Sequence, residues 1–428
     1  MSPSRRTGRE EQPTGDARTP PERLGRHFHT LMAGLLASHA GIGLVFPLTS
    51  IFISDHLGLG GAGAGRYFVA MAAAGCAAAV IGGPRADRGA AAAVGAVGTT
   101  SLVVSYALLG AASGDLPVVL SGVLAGTGYG LQYAAITGVV TALVPASLQR
   151  RAFVLRHVMT NVGMGLGAAA GGLLLAGSGR STGMLRHLYE AAAAGSVPLA
   201  VVFLAVRGLC HSHPAGTPPG DGGTPDAGES RQGYRVLLRS RPLALLMLGQ
   251  ALFAAVGFTQ IEAAVPLLMH HGMGVGLTGV SLVTAGNALA LLVLQHPVGR
   301  RFERWPETGA LTVAPLLWCA AFGAGGLAAT VQGAARSVLL GVFAALFALG
   351  EIAYSSAFFP LLVRLSGPAS LGRGSALSSL AWSAGTVAGP PAGIAVVTAT
   401  GPVAGWLALA AGTTVTCAVA LGLRRATP

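Results

Sequence analysis

Lysine is absent from this chain, and acids are scarce, with 15 Asp and Glu against 27 basic residues that are all Arg. Charged residues make up only 10% of the sequence, where a soluble chain carries roughly 25%. So few charges cannot cover the water-facing surface of a 428-residue globule, which excludes an ordinary soluble domain. Cysteine is rare too. Cys76, Cys210, Cys319 and Cys417 show no CxxC spacing, which excludes a disulfide framework or a thiolate metal centre. No GxxxxGK[ST] run occurs, so a phosphate-binding loop of the ATPase type is not expected. The first 26 residues are polar and rich in Arg and Pro, with no apolar stretch of the kind a cleavable signal peptide needs.

What fills the chain instead is apolar. Hydrophobic residues make up 52% of it, and 65 residues are Gly. Glycine is common where membrane helices pack closely. Runs of about 20 apolar residues recur, the length of helix that crosses a hydrocarbon core of roughly 30 Å. They predict spans at 28–53, 66–84, 91–112, 117–143, 152–176, 187–207, 242–269, 276–298, 309–331, 336–363, 374–398 and 402–423.

The arginines order these spans. With the N-terminus inside, 23 fall in cytosolic segments and only Arg66, Arg180, Arg186 and Arg336 outside. This split follows the positive-inside rule and puts both termini in the cytosol. It also accounts for the net charge of +12 without a nucleic-acid partner. The expectation is a multi-pass protein of the cell membrane, surrounded by lipid and monomeric.

Residues 208–240 interrupt the pattern with Pro, Gly and Asp, and read as a flexible linker. The division expected is a disordered tail at 1–26, one six-helix bundle at 27–207, the linker at 208–240 and a second bundle at 241–428. An internal repeat supports it. Pro47 matches Pro266 at an offset of 219, Gly83 matches Gly299 at 216, and Gly163 matches Gly385 at 222. The fold class is therefore an all-α membrane protein, twelve transmembrane helices in two pseudo-symmetric six-helix bundles. Parallel repeats of this kind hold a substrate site between the halves near the membrane midplane.

Three motifs resemble the major facilitator superfamily. After the second span, Gly83, Asp87 and Arg88 fit its Gly-x-x-x-Asp-Arg-x-Gly-Arg-Arg signature, although Gly89 follows Arg88 directly and alanines replace the final basic pair. Gly299, Glu303 and Arg304 form a partial second copy. The resemblance implies a cytosolic gate, with the acid at a neighbouring helix N-terminus where partial positive charge favours a carboxylate. The alternative is a solvated basic turn. In the fifth span, Gly163, Gly167, Gly171 and Gly172 resemble the Gly-x-x-x-Gly-Pro-x-x-Gly-Gly motif of proton-coupled antiporters, with Ala168 in place of Pro. The eleventh span carries Gly385, Gly389 and Pro390. These residues imply close helix packing, which generic small residues also give. In the fourth span, Gly122 stands where drug antiporters of this family carry an intramembrane Arg, four residues before Gly126-Thr-Gly128.

Two carboxylates fall well inside predicted spans, Glu351 and Glu262. A charge at the bilayer centre costs roughly 2.5–3.5 kcal/mol on insertion scales, so Glu351 should face a cavity or carry a proton part of the time. His39 in the first span is a third candidate for moving protons, or else a packed core histidine. Gln132, Tyr133, Asn161, Gln250 and Asn287 are candidate substrate donors. Asp55 ends the first span and is a candidate for an outer gate, while His270-His271 read as a wet loop with no metal. The chain is thus expected to be a secondary transporter, no enzyme and without a cofactor. The resemblance implies drug:proton antiport, an efflux of small, mostly apolar molecules of the multidrug-resistance type. An importer of a sugar or other nutrient on the same fold is the alternative, and a membrane-embedded enzyme or sensor the alternative of another class.

Overall fold

The structure is a computed structural model that describes residues 24–145, 148–178, 182–211, 239–366 and 371–427. Among these the chain forms twelve long helices. They are α1 (Arg26–His56), α2 (Gly60–Arg85), α3 (Ala91–Ala111), α4 (Asp115–Leu143), α5 (Gln149–Ser178) and α6 (Thr182–Ala205). A short helix, Arg207–His211, follows. Then come α7 (Arg241–Gly272), α8 (Leu277–Phe302), α9 (Glu307–Ala328), α10 (Gly333–Ser366), α11 (Leu371–Ala399) and α12 (Pro402–Ala426). Most of the expected 1–26 tail and 208–240 linker lies outside the described residues.

Eleven of these helices are long and apolar enough to cross a membrane, one fewer than the sequence predicts. The exception is α4, which at 29 residues is long enough. Its Gly126, Thr127, Gly128, Tyr129, Gly130, Gln132 and Tyr133 dilute its apolar content. Helix starts differ most at α2, which begins at Gly60 rather than 66. Its opening turns are Gly and Ala, which read as loop, yet they lie against α11. A side chain at Gly61 would put its Cβ 2.6 Å from Thr398 Cγ2.

α1 and α7 are both broken. Pro47 sits in a 3₁₀ turn at Phe46–Leu48, and α1 ends in a π-type turn at Phe52–His56. α7 passes through a π-type turn at Phe253–Gly257 and a 3₁₀ turn at Phe258–Gln260, then resumes at Ala264–Leu267 around Pro266. Proline has no N–H for the helix ladder, which localises such breaks.

α1 packs on α5 and α6, α2 on α4, and α3 on α4 and α6. Likewise α7 packs on α11 and α12, α9 on α10 and α12, and α8 on α10. Two long seams join the groups, α5 against α8 and α2 against α11. The buried apolar clusters show where. One cluster takes residues from both groups, from Ile42, Phe52 and Phe68 to Leu268, Val280 and Ile394. It lies toward the face opposite the termini. Toward the termini the core divides. Phe28, Leu31, Val139 and Phe203 cluster within the first group, and Leu243, Leu311, Phe358 and Leu423 within the second. The apolar core is thus shared by the two groups toward one face and separate in each toward the other.

Candidate functional site

Glu351 lies midway along α10 and is half-buried. Glu262 occupies the non-helical turn between the segments of α7. Just before the break, Trp318 of α9 fills the space beside Gly257, where any side chain would clash with the indole. The Gln260 amide donates to Ala255 O at 2.6 Å and Gly389 O at 2.9 Å, satisfying carbonyls at the break. Glu262 is within electrostatic reach of Glu351. Neither carboxyl makes an ion pair or side-chain hydrogen bond with the described residues. Behind Glu351 an aromatic stack runs through Phe347, Trp318, Phe253, Tyr354 and Phe358, with ring centroids 3.6–5.2 Å apart. Trp318 Nε1 donates to Phe347 O at 2.9 Å. Gly350 leaves room for the same indole, so Glu351 is mounted on a rigid wall.

Facing these acids from the first group is Tyr133 of α4, 68% exposed despite its depth in the chain's apolar belt. It is within electrostatic reach of both Glu262 and Arg156. Its exposure is therefore to the space between the groups. Tyr106 and Tyr129 share a hydrogen bond of 2.7 Å nearby, and Tyr106 also senses Glu262. His39 of α1 holds Leu35 O through Nδ1 at 2.9 Å and lies in the field of Arg156. Arg156 of α5 is partly buried, and its Nε finds no hydrogen-bond partner among the described residues. Sequence reasoning missed it by counting it among cytosolic arginines. The signal was its phase: Arg156 precedes Gly163 by seven residues, two helical turns, and so shares the face that meets α1.

The other candidates scatter. Gln132 is buried inside the first group, where Nε2 donates to Thr99 Oγ1 at 3.3 Å, so it points away from the cavity that its neighbour Tyr133 lines. Asn287 donates to Ala344 O at 3.3 Å, tying α8 to α10. Asn161 is half-buried on α5. Gln250 is buried within the second group and donates to Ser378 Oγ at 3.4 Å. Its Oε1, Tyr354 OH and Thr416 Oγ1 have no partners among the described residues. All three border a pocket of about 20 Å³ inside the second group, room for one water.

The antiporter-like glycines form two related contacts. Gly163, Gly167 and Gly171 face the backbone of α1 at Leu36, Ala40 and Leu44. Gly385 and Gly389 face α7 at Ala251 and Ala255, with Pro390 buried beside them. Gly172 faces Thr278 and Ser281 of α8 across the seam. Gly122 lies 2.6 Å, by its missing Cβ, from Tyr67 O of α2, which leaves no room for the arginine of the drug-antiporter pattern. In the gate motif, Arg88 is exposed and Gly89 adopts φ 92°, a left-handed turn, while the Asp87 side chain lies outside the described residues. The second copy departs from expectation: Glu303 and Arg304 are exposed past the end of α8, and buried Gly299 is uncrowded. The acid at the start of the next helix is Glu307, which pairs with Arg364 at 3.3 Å.

On the closed face, Asp55 at the end of α1 takes His271 Nε2 at 2.6 and 2.7 Å and His270 Nε2 at 3.4 Å, both from the end of α7. The two histidines expected in a wet loop thus bridge the groups.

The profile of the Major Facilitator Superfamily matches residues 31–279. No curated protein matches the chain by sequence. Solved transporters share its fold at low identity. The nucleoside transporter NupG is similar at TM-score 0.73 and 13% identity, over 94% of this chain and all of that one. A POT family transporter in complex with a thioalcohol-conjugated peptide gives 0.71 and 13%, over 94% and 97%. A bacterial homologue of the human lysosomal transporter Spinster, inward-facing and unoccupied, gives 0.65 and 16%, over 94% of each chain.

Proposed function

The chain belongs to the Major Facilitator Superfamily, and from that premise we propose that it is a proton-coupled exporter of small molecules in the cell membrane. It has twelve spans in two halves and both termini in the cytosol. The halves rock about the cavity between them, so that the face parted toward the termini is the inward-open one. Glu351 and Glu262 carry the proton, with His39 beside the route. One observation carries this reading. The two acids deep in the helices, from a chain with few, lie within electrostatic reach of each other and lack basic partners among the described residues. One proton shared between them relieves their repulsion, and closing the cavity around an unprotonated pair is opposed. Glycines on α5 and α11 supply the tight hinges of each half.

The cavity also bears on substrate. Arg156, His39 and the tyrosines face it from one side and two acids from the other, which fits a molecule with a polar or ionised group on an apolar body. The same charges support import of a polar nutrient as a second reading. Proteoliposomes loaded with pyranine, under an imposed pH gradient and given a panel of aromatic acids, amines and sugars, test both. We expect a compound-dependent change in lumen pH that Glu351→Gln abolishes and Glu262→Gln slows. Proton movement in Glu351→Gln equal to that of the unmodified protein would sink the coupling role, and uptake driven with the proton rather than against it would establish import.

A further inference from the structure

We propose that Arg156 is the docking point for an oxyanion, a carboxylate on a substrate with an aromatic or otherwise apolar body. This rests on the reading of the cavity as a transport site. A guanidinium taken out of water needs a counter-anion and filled hydrogen bonds. Arg156 has neither among the described residues: no carboxylate lies within 4 Å, and its buried Nε is unpartnered. The groups that share its field in its own half are His39 and Tyr133, neither of them an anion partner. Tyr133 links it to the other half, since that ring is within electrostatic reach of both Arg156 and Glu262.

The internal repeat makes the cation a deliberate asymmetry. The offset of 222 that maps Gly163 onto Gly385 maps Arg156 onto Ser378. Ser378 is buried and occupied by the Gln250 amide, so the helix pair packs without any charge at that position. Packing therefore does not require Arg156. It lies on the α1-facing side of α5, two turns before Gly163, next to the exposed ring of Tyr133. A carboxylate entering between the halves meets the guanidinium, and the tyrosine supplies an aromatic wall for its body. The acids across the cavity repel the same carboxylate when ionised, so protonating them favours the loaded state. Anion and proton then occupy one cavity and bind with positive linkage, which moves the two in the same direction and so favours, for a carboxylate substrate, the import reading.

The oxyanion could also be a lipid phosphate, and the test separates the two. The full-length protein in phosphatidylcholine nanodiscs is titrated with 2-naphthoate, 2-naphthylmethanol and 2-naphthylmethylamine, with thermal stabilisation as readout. The naphthoate should bind at least tenfold more tightly than the alcohol or the amine. Arg156→Gln should bring naphthoate and alcohol within about twofold, and Arg156→Lys should retain part of the preference. A naphthoate no tighter than the alcohol, or a preference that survives in Arg156→Gln, overturns the proposal. If phosphatidylglycerol stabilises the unmodified protein but not Arg156→Gln while naphthoate acts on neither, the anion is a headgroup and the substrate assignment falls. A naphthoate preference in a protein that moves no protons in liposomes would defeat the proton-coupling reading alone.

Discussion

Substituting Gly167 by alanine adds one methyl group at the tightest contact of α1 with α5. The new Cβ would lie 2.8 Å from the Ala40 carbonyl carbon and 2.9 Å from Gly43 Cα, and closer still to Ala40 O. All three are backbone atoms, so no side chain can swing away. Carbon atoms rest at about 3.5–4.0 Å, which means the helices must separate by roughly 1 Å. Overpacking of this kind costs about 1–3 kcal/mol, and the separation also removes contacts on both sides of the seam. Gly163→Ala should cost less, since its Cβ would lie 2.6 Å from Leu36 O and 3.0 Å from His39 Cβ. Gly177→Ala is the control, with nothing within 4 Å. Unfolding in mixed micelles of increasing dodecyl sulfate gives the free energies. We expect the order Gly167, Gly163, Gly177, from most to least destabilised. A Gly167→Ala protein within about 0.5 kcal/mol of Gly177→Ala would show that the α1 and α5 backbones are not in contact at this point.

Two further outcomes are expected. With the four native cysteines replaced by serine, Ser281→Cys places a fully buried thiol in the α5–α8 seam, and an impermeant maleimide added outside should label it several times faster once His271→Ala removes the bridge to Asp55. An unchanged labelling rate would mean the histidine bridge does not hold that face. Reporter fusions at the N-terminus, at residue 220 and at the C-terminus should all register cytosol, and an external signal at 220 would break the division into two six-helix halves.

The helical membrane architecture was legible in the sequence because burial in lipid leaves a coarse trace. Runs near 20 residues, arginines on alternate loops and proline and glycine landmarks at offsets of 216 to 222 survive in one dimension. The run at 117–143, which becomes α4, leaves a fainter trace because glycines and polar residues dilute its apolar content. Glu351 and Glu262 could be named for the same reason, since an acid in an apolar run is conspicuous. Their proximity could not, because 89 residues separate them and only the packing of α7 against α10 decides that Glu262 lies within reach of Glu351. Gln132 and Tyr133 are adjacent in sequence and differ in fate: one turns into the helix interface, the other to the cavity. Composition cannot tell them apart, because each residue advances about 100° around the helix and only the neighbouring helices say which direction is inside. Arg156 is the same case. On charge it is one more positive-inside arginine, and its lack of a counter-anion depends on where the helices of both halves stand.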